Sequence, residues 1–191
     1  MKMKKTIATL LLTTAAFFSS QNLIAQETAI NAEESSIHWL GRKVTRQHEG
    51  NISLKSGTIN MTDGAVTGGT FVVDMASMSC TDLSGEYAGK LIGHLKSDDF
   101  FGVETHPEAS LTFTNVEAKG DGVYAVTGDF TIKGKTNPAQ FDLTVAGGTA
   151  SAKVIIDRAL YDIRYGSNSF FDNLGDKAIY NDFELDVTLK L

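Results

Sequence analysis

Between Ile179 and Leu191 the chain alternates almost without a break. Ile179, Phe183, Leu185, Val187, Leu189 and Leu191 fall on one side, and Glu184, Asp186, Thr188 and Lys190 on the other. A two-residue period marks a strand with one face buried and one in water. The same period runs back through most of the chain. Leu111 and Phe113 carry it between Ala109 and Glu117, followed by Tyr124, Val126, Phe130 and Ile132, then Phe141, Leu143 and Val145, then Ala152, Val154 and Ile156. Nearer the start, Ile37 and Trp39, Ile52 and Leu54, and Phe71, Val73 and Met75 repeat it. Turn residues separate the runs: Thr62-Asp63-Gly64, Lys119-Gly120-Asp121-Gly122, Gly134-Lys135-Thr136-Asn137-Pro138 and Gly147-Gly148. Gln47-His48-Glu49-Gly50 also reads as a turn or bulge between a strand over 37–45 and one over 51–60.

About eight strands joined by short turns suit a closed antiparallel barrel, with a two-sheet sandwich as the alternative. Closure is favoured because the first and last strands are both long and alternating, and open apolar edges of that length invite aggregation. One connection differs. Leu83, Tyr87, Leu91 and Leu95 recur every four residues, which predicts a single helical connection around 82–96. Phe100-Phe101 follows it, and His106-Pro107 returns the chain to extended geometry. Leu160 to Gly175 reads as an irregular aromatic loop. Fold class is therefore mainly all-β, an eight-stranded barrel with one helix in a long connection, where function is often carried.

The first 25 residues stand apart. Lys2, Lys4 and Lys5 precede an apolar or small run from Ile7 to Phe18, and a polar shoulder leads to Leu23-Ile24-Ala25. This is the layout of a secretory signal peptide cleaved after about Ala25, implying a periplasmic or secreted protein. A flexible lead-in over 26–34 and one domain over 35–191 are expected beyond it. Without the leader, 14 basic and 23 acidic side chains remain, a formal charge of −9. Such a surface disfavours nucleic acid and other polyanionic partners. Cys80 is the single cysteine, so no intrachain disulfide can form and the core must supply the stability.

No pattern in the chain carries catalysis. His38, His48, His94 and His106 are scattered without metal-ligand spacing, and no HExxH or Cys/His cluster occurs. No metal and no cofactor is expected. Cys80 has no adjacent base, and the hydroxyls of 84–86 and 166–169 lack a nucleophile elbow. Asp98-Asp99 points two ways and suits a helix end better than general acid–base work. His94, beside the Leu91/Leu95 face, suits a structural hydrogen bond or, more sharply, a polar contact at a cavity mouth. What stands out is one aromatic per strand on the inward face: Trp39, Phe71, Phe113, Phe130, Phe141 and Phe183. Each alone is ordinary core. Together they are compatible with either a filled barrel or one that holds a small ligand.

Lys90 to Val103, with its basic residue, His94-Leu95, Ser97, an acid and Phe100-Phe101, resembles a motif of the YceI-like family, as does the proline-then-strand step from Pro107 to Phe113. Gly128-Asp129-Phe130-Thr131-Ile132-Lys133-Gly134-Lys135-Thr136 is similar to the family's G-D-L-T-I-K-G-x-T stretch. Arg158 to Gly166, Leu174-Gly175-Asp176 and the closing strand resemble its C-terminal third, so the likeness spans Ser35 to Leu191. The resemblance implies an exported, lipocalin-like, non-enzymatic protein that holds a polyisoprenoid or other long-chain amphiphile in the barrel. The apolar lumen it implies comprises Trp39, Phe71, Val73, Leu91, Leu95, Phe100, Phe101, Leu111, Phe113, Phe130, Phe141, Ile156 and Phe183. Lys43, His94 and Arg164 are the expected head-group contacts. Lys43 and Arg164 belong to stretches more charged than usual for the family, and a cation there suits an acidic or amide head as well as an isoprenoid. Transient membrane contact and a homodimer are both compatible with this reading. The alternatives are a hydrolase or isomerase using the same cavity and a solid barrel serving as an interaction module.

Overall fold

A computed structural model describes residues 25–191. The leader expected over 1–25 falls, save for Ala25, outside the described residues. The strands are β1 (Ala25–Ala29), β2 (Asn31–Lys43), β3 (Arg46–Thr62), β4 (Ala65–Asp74), β5 (Glu108–Gly120), β6 (Val123–Ile132), β7 (Lys135–Ala146), β8 (Thr149–Asp157) and β9 (Ile179–Lys190), with one α-helix, α1 (Gly85–Lys96), between β4 and β5. Every pairing is antiparallel between neighbours in sequence from β2 to β9, and β9 returns to pair with β2. The wall is therefore a closed eight-stranded up-and-down barrel, with β1 continuing the line of β2 along β3. Closure pairs β2 with β9, which would otherwise both be edges, and leaves the outer side of the five-residue β1 as the short edge.

The tight ends follow from turn chemistry. Asp63 and Gly64 both adopt positive φ, 50° and 82°, the two-residue geometry that matches strand twist. With such turns at the β3–β4, β5–β6 and β7–β8 connections, one end of the barrel is compact. The other end carries the β2–β3 hairpin at Val44-Thr45, the long β4–β5 connection with α1, and the β8–β9 connection over 158–178.

Two expectations are corrected. The lead-in over 26–34 is ordered: β1 pairs with β3 from Ala25↔Thr62 to Ala29↔Thr58, Ile30 is buried, and its N–H donates to the Gly57 carbonyl at 2.9 Å. Beyond it, Asn31 Oδ1 accepts from the N–H groups of Glu33 and Glu34, and Ser35 Oγ accepts from the Lys190 N–H at 3.0 Å. Those side-chain bonds build the bulge between Asn31 and Ser36 that polar composition alone had suggested was loop. The turn expected at Gln47–Gly50 is instead the start of β3, and the chain reverses at Val44-Thr45. Gly50 is there for close approach. A Cβ on it would lie 1.9 Å from the Ser79 carbonyl oxygen, because the strap after β4 lies against β3 through Ser79 N–H to Asn51 O and Thr81 N–H to Glu49 O.

Candidate functional site

Toward the compact end Ile30, Ile59, Val66, Tyr124, Val126 and Ala150 are buried and do not border the main cavity, which reaches this end along Leu143, Ala152 and Leu189. Toward the α1 end the inward faces separate around a cavity of about 240 Å³. One water needs only ~10–15 Å³ of such volume. Its wall is overwhelmingly apolar, which favours hydrocarbon over a water cluster.

Period-two register explains the wall. Ile37, Trp39, Gly41 and Lys43 project inward from β2, facing Ile52, Gly50, His48 and Arg46 of β3. Phe71 and Val73 come from β4, Leu111 and Phe113 from β5, Phe130 from β6, Phe141 from β7, Val154 from β8, and Phe183, Leu185 and Val187 from β9. The rings form a chain of tilted contacts: Phe71–Phe113 at 5.2 Å, Phe113–Phe141 at 5.9 Å and Phe141–Phe130 at 6.2 Å between centroids. Trp39 is oriented by its indole N–H, which donates to Ser79 O at 3.1 Å. At Gly41 the inward row of β2 is interrupted, and a Cβ there would meet nothing within 4 Å.

A lid covers the open end. α1 turns Leu91, His94 and Leu95 to the cavity, although none of its residues is buried. Phe100 and Phe101 pack beneath it edge to face at 5.2 Å, and Phe101 meets Phe183 at 6.2 Å. The His94 ring lies 4.4 Å from that of Tyr165, which ties α1 to the 158–178 connection. The helix is fastened at its C-terminal end, where Ser97 N–H bonds Gly93 O and His94 O, and Phe101 N–H bonds Leu95 O. At its start Ser84 supplies no side-chain cap.

Polar groups gather at this end alone. Arg158 is 2% exposed and borders the cavity. It donates from Nε to Tyr180 O at 3.1 Å, from Nη1 to Ile163 O at 2.7 Å and from Nη2 to Ile179 O at 3.1 Å, and burial lowers its pKa. His48 Nδ1–H donates to Asp82 Oδ2 at 2.8 Å, and Asp82 Oδ1 accepts from Glu49 N–H and from the Cys80 thiol, both at 3.1 Å. Burial works against the Asp82 charge, but these donors outweigh it and hold its pKa at about 2. The Cys80 thiol thus bonds the carboxylate rather than the imidazole. Burial first, then that bond, push its pKa up, the reverse of what an activated nucleophile needs. Among the described residues no group of three or more metal-ligating side chains converges.

Of the residues expected to form the lumen, Trp39, Phe71, Val73, Leu91, Leu95, Phe100, Phe101, Leu111, Phe113, Phe130, Phe141 and Phe183 border the cavity. Ile156 is buried in the core but does not border it. Of the expected head-group contacts, Lys43 and His94 border the cavity. Arg164 does not: its Nε bonds Asp162 Oδ1 at 2.5 Å and its guanidinium lies over the Phe170 ring on the outside of the 158–178 connection. Its expected place is corrected for that reason. Sequence reasoning passed over Arg46, His48 and Arg158. Arg158 continues the inward series Ala152, Val154, Ile156 at two-residue spacing, a signal that was present.

Solved structures of this architecture exist. The chain superimposes on Burkholderia cenocepacia BcnA with a TM-score of 0.66 at 20% identity, covering 84% of this chain and 98% of that one. A polyisoprenoid binding domain from Saccharophagus degradans, implicated in plant cell wall breakdown, gives a TM-score of 0.59 at 16% identity, covering 88% and 97%. At those identities the likeness is one of fold. In sequence, a UPF0312 protein of Photorhabdus laumondii is 43% identical over 54 residues, and the match spans 28% of each chain. The YceI-like domain profile matches residues 29–191, from the end of β1 to the last residue, and the chain belongs to that family.

Proposed function

We propose that this protein is an exported, non-enzymatic binding protein that holds a polyisoprenoid or other long-chain amphiphile inside the barrel, for carriage, storage or sequestration. The observation that carries this reading is the aromatic-walled cavity of about 240 Å³ beneath α1. Each methylene moved from water into such a wall contributes about 0.8 kcal/mol, so a long tail supplies the affinity and head-group contacts supply selection. The polyisoprenoid-binding neighbour of the same fold supports the ligand class. The Cys80 thiol beside the His48–Asp82 pair bonds the carboxylate and has its pKa raised by burial, which favours binding over hydrolysis. The leader over 1–25 supports export, and among the described residues no helix is long and apolar enough to cross a membrane.

Loading end-on implies transient contact of the lid end with a bilayer. Val44, Leu160, Tyr165, Phe170, Phe171 and Tyr180, all exposed, stand on or beside the connections at that end. The deciding experiment is mass spectrometry of protein purified from its native envelope. A stoichiometric long-chain lipid is expected, with the chain beginning at or near Gln26. Delipidated protein should take the lipid back with a saturable change in Trp39 emission. Protein that arrives lipid-free and leaves Trp39 emission unchanged with every long-chain lipid offered would sink this reading in favour of a ligand-free interaction module.

A further inference from the structure

Two groups on the cavity wall lack a partner for what they carry. A guanidinium has five N–H groups, and Arg158 spends three on main-chain carbonyls. Among the described residues no carboxylate makes a salt bridge with it: the neighbouring Asp157 charge favours the cation, but its carboxylate accepts from Ala159 N–H and the effect of burial is larger. The second group is His94 Nε2, which is buried with no hydrogen-bond partner. Both border one ring. The Arg158 guanidinium carbon is 5.3 Å from the Phe100 centroid, and the His94 ring is 5.7 Å from it. Burying a charge without a counter-charge costs several kcal/mol, and an unmet polar atom adds to that.

The surroundings share the sign. Register places Lys43 opposite both Arg46 and Ile179, and the Ile179 carbonyl is one that Arg158 holds. The cavity wall carries Arg42, Lys43, Arg46 and Arg158 against one carboxylate, Asp182, although acids outnumber bases 23 to 17 in the whole chain. Arg42 is already paired with Glu184. Lys43, Arg46 and Arg158 form no salt bridge among the described residues.

We propose that the lid end of the cavity is an oxyanion seat, and that the bound lipid ends in a carboxylate or a phosphate ester. The head's oxygens accept from His94 Nε2–H and from the unspent N–H groups of Arg158, while Lys43 and Arg46 neutralise it at the rim. A neutral hydroxyl could satisfy His94 but would leave the buried guanidinium without a hydrogen-bonded counter-charge. This inference rests on the lipid-binding reading above, and its test separates the two.

Delipidated protein is titrated at low salt, by Trp39 emission, with three lipids of matched C20 tail: geranylgeraniol, geranylgeranyl phosphate and a C20 carboxylic acid. Inorganic phosphate forms a fourth arm. The two anionic lipids should bind at least about tenfold tighter than the alcohol, with an advantage that shrinks as salt is raised. In the rim double variant Lys43→Gln/Arg46→Gln, which spares the buried Arg158, that ratio should fall to within about threefold. Equal binding of alcohol and anions overturns the seat and leaves the carrier reading standing. Binding of none of the three lipids overturns both. Inorganic phosphate binding as tightly as the lipid phosphate, or an unchanged ratio in the double variant, also overturns the proposal.

Discussion

Arg158 joins the end of β8 to the start of β9 with one planar group, holding the carbonyls of Ile163, Ile179 and Tyr180. No apolar side chain can do this. Arg158→Met should therefore lower stability by about 3 kcal/mol, the cost of orphaning buried acceptors less the relief of removing a buried charge. Urea unfolding measures it, and Arg158→Lys should recover only part of the loss. Asp82 makes a different demand. Its pKa falls from 3.8 unfolded to about 2 folded, so the carboxylate stabilises the fold above pH 3.8, and that contribution disappears as the pH drops toward 2. The gap in unfolding midpoint between parent and Asp82→Asn should be open at pH 7 and closed near pH 2. A gap that persists at pH 2 would show that Asn acts through something other than the lost charge. Neither residue announced its role by composition. Arg158 follows Asp157 and reads as a surface pair until the two-residue count is carried one step further. Asp82 meets His48 across 34 positions, which no local pattern encodes.

Strands were legible because each has one wet face and one dry face, so the alternation that builds the barrel is written in every run. The β1 segment, the early start of β3 and the bulge after Asn31 were not. Their order comes from cross-strand bonds and from a backbone packed on Gly50, which are tertiary facts. Helix α1 was legible through its four-residue apolar spacing, but its weakness was not. Gly85, Gly89 and Gly93 recur along it with nothing within 4 Å of where their Cβ atoms would lie, and only Gly85 has a positive φ. Glycine in a helix interior costs about 1 kcal/mol relative to alanine. Gly89→Ala with Gly93→Ala should therefore firm the lid by up to about 2 kcal/mol without steric cost. Amide exchange over 86–92 should slow, and so should release of a preloaded fluorescent polyene lipid. Slower exchange with unchanged release would mean that cargo leaves by a route other than the unwinding of α1.

At the scale of the whole molecule, some inward side chains fill the barrel and others border the cavity, and the alternation alone could not divide them because the same residue types serve both. Phe130 and Phe141 border the cavity, while Val126, on the same inward face of β6 as Phe130, does not. Closure is uneven along the wall: β9 returns to β2, but the β7–β8 ladder runs only from Leu143↔Ala152 to Ala146↔Thr149, so those two strands part toward the lid end. The buried compact end has a metric consequence. A tube with one blind end is a ruler. A tail that fits gains about 0.8 kcal/mol for each added methylene, and a tail that touches bottom gains nothing from the next one. Affinity plotted against chain length for one head group should rise and then break to a plateau, and the break reads the depth of the barrel. Val126→Ala, at a stability cost on the order of 1–2 kcal/mol, should move that break to a longer chain while leaving the slope before it unchanged.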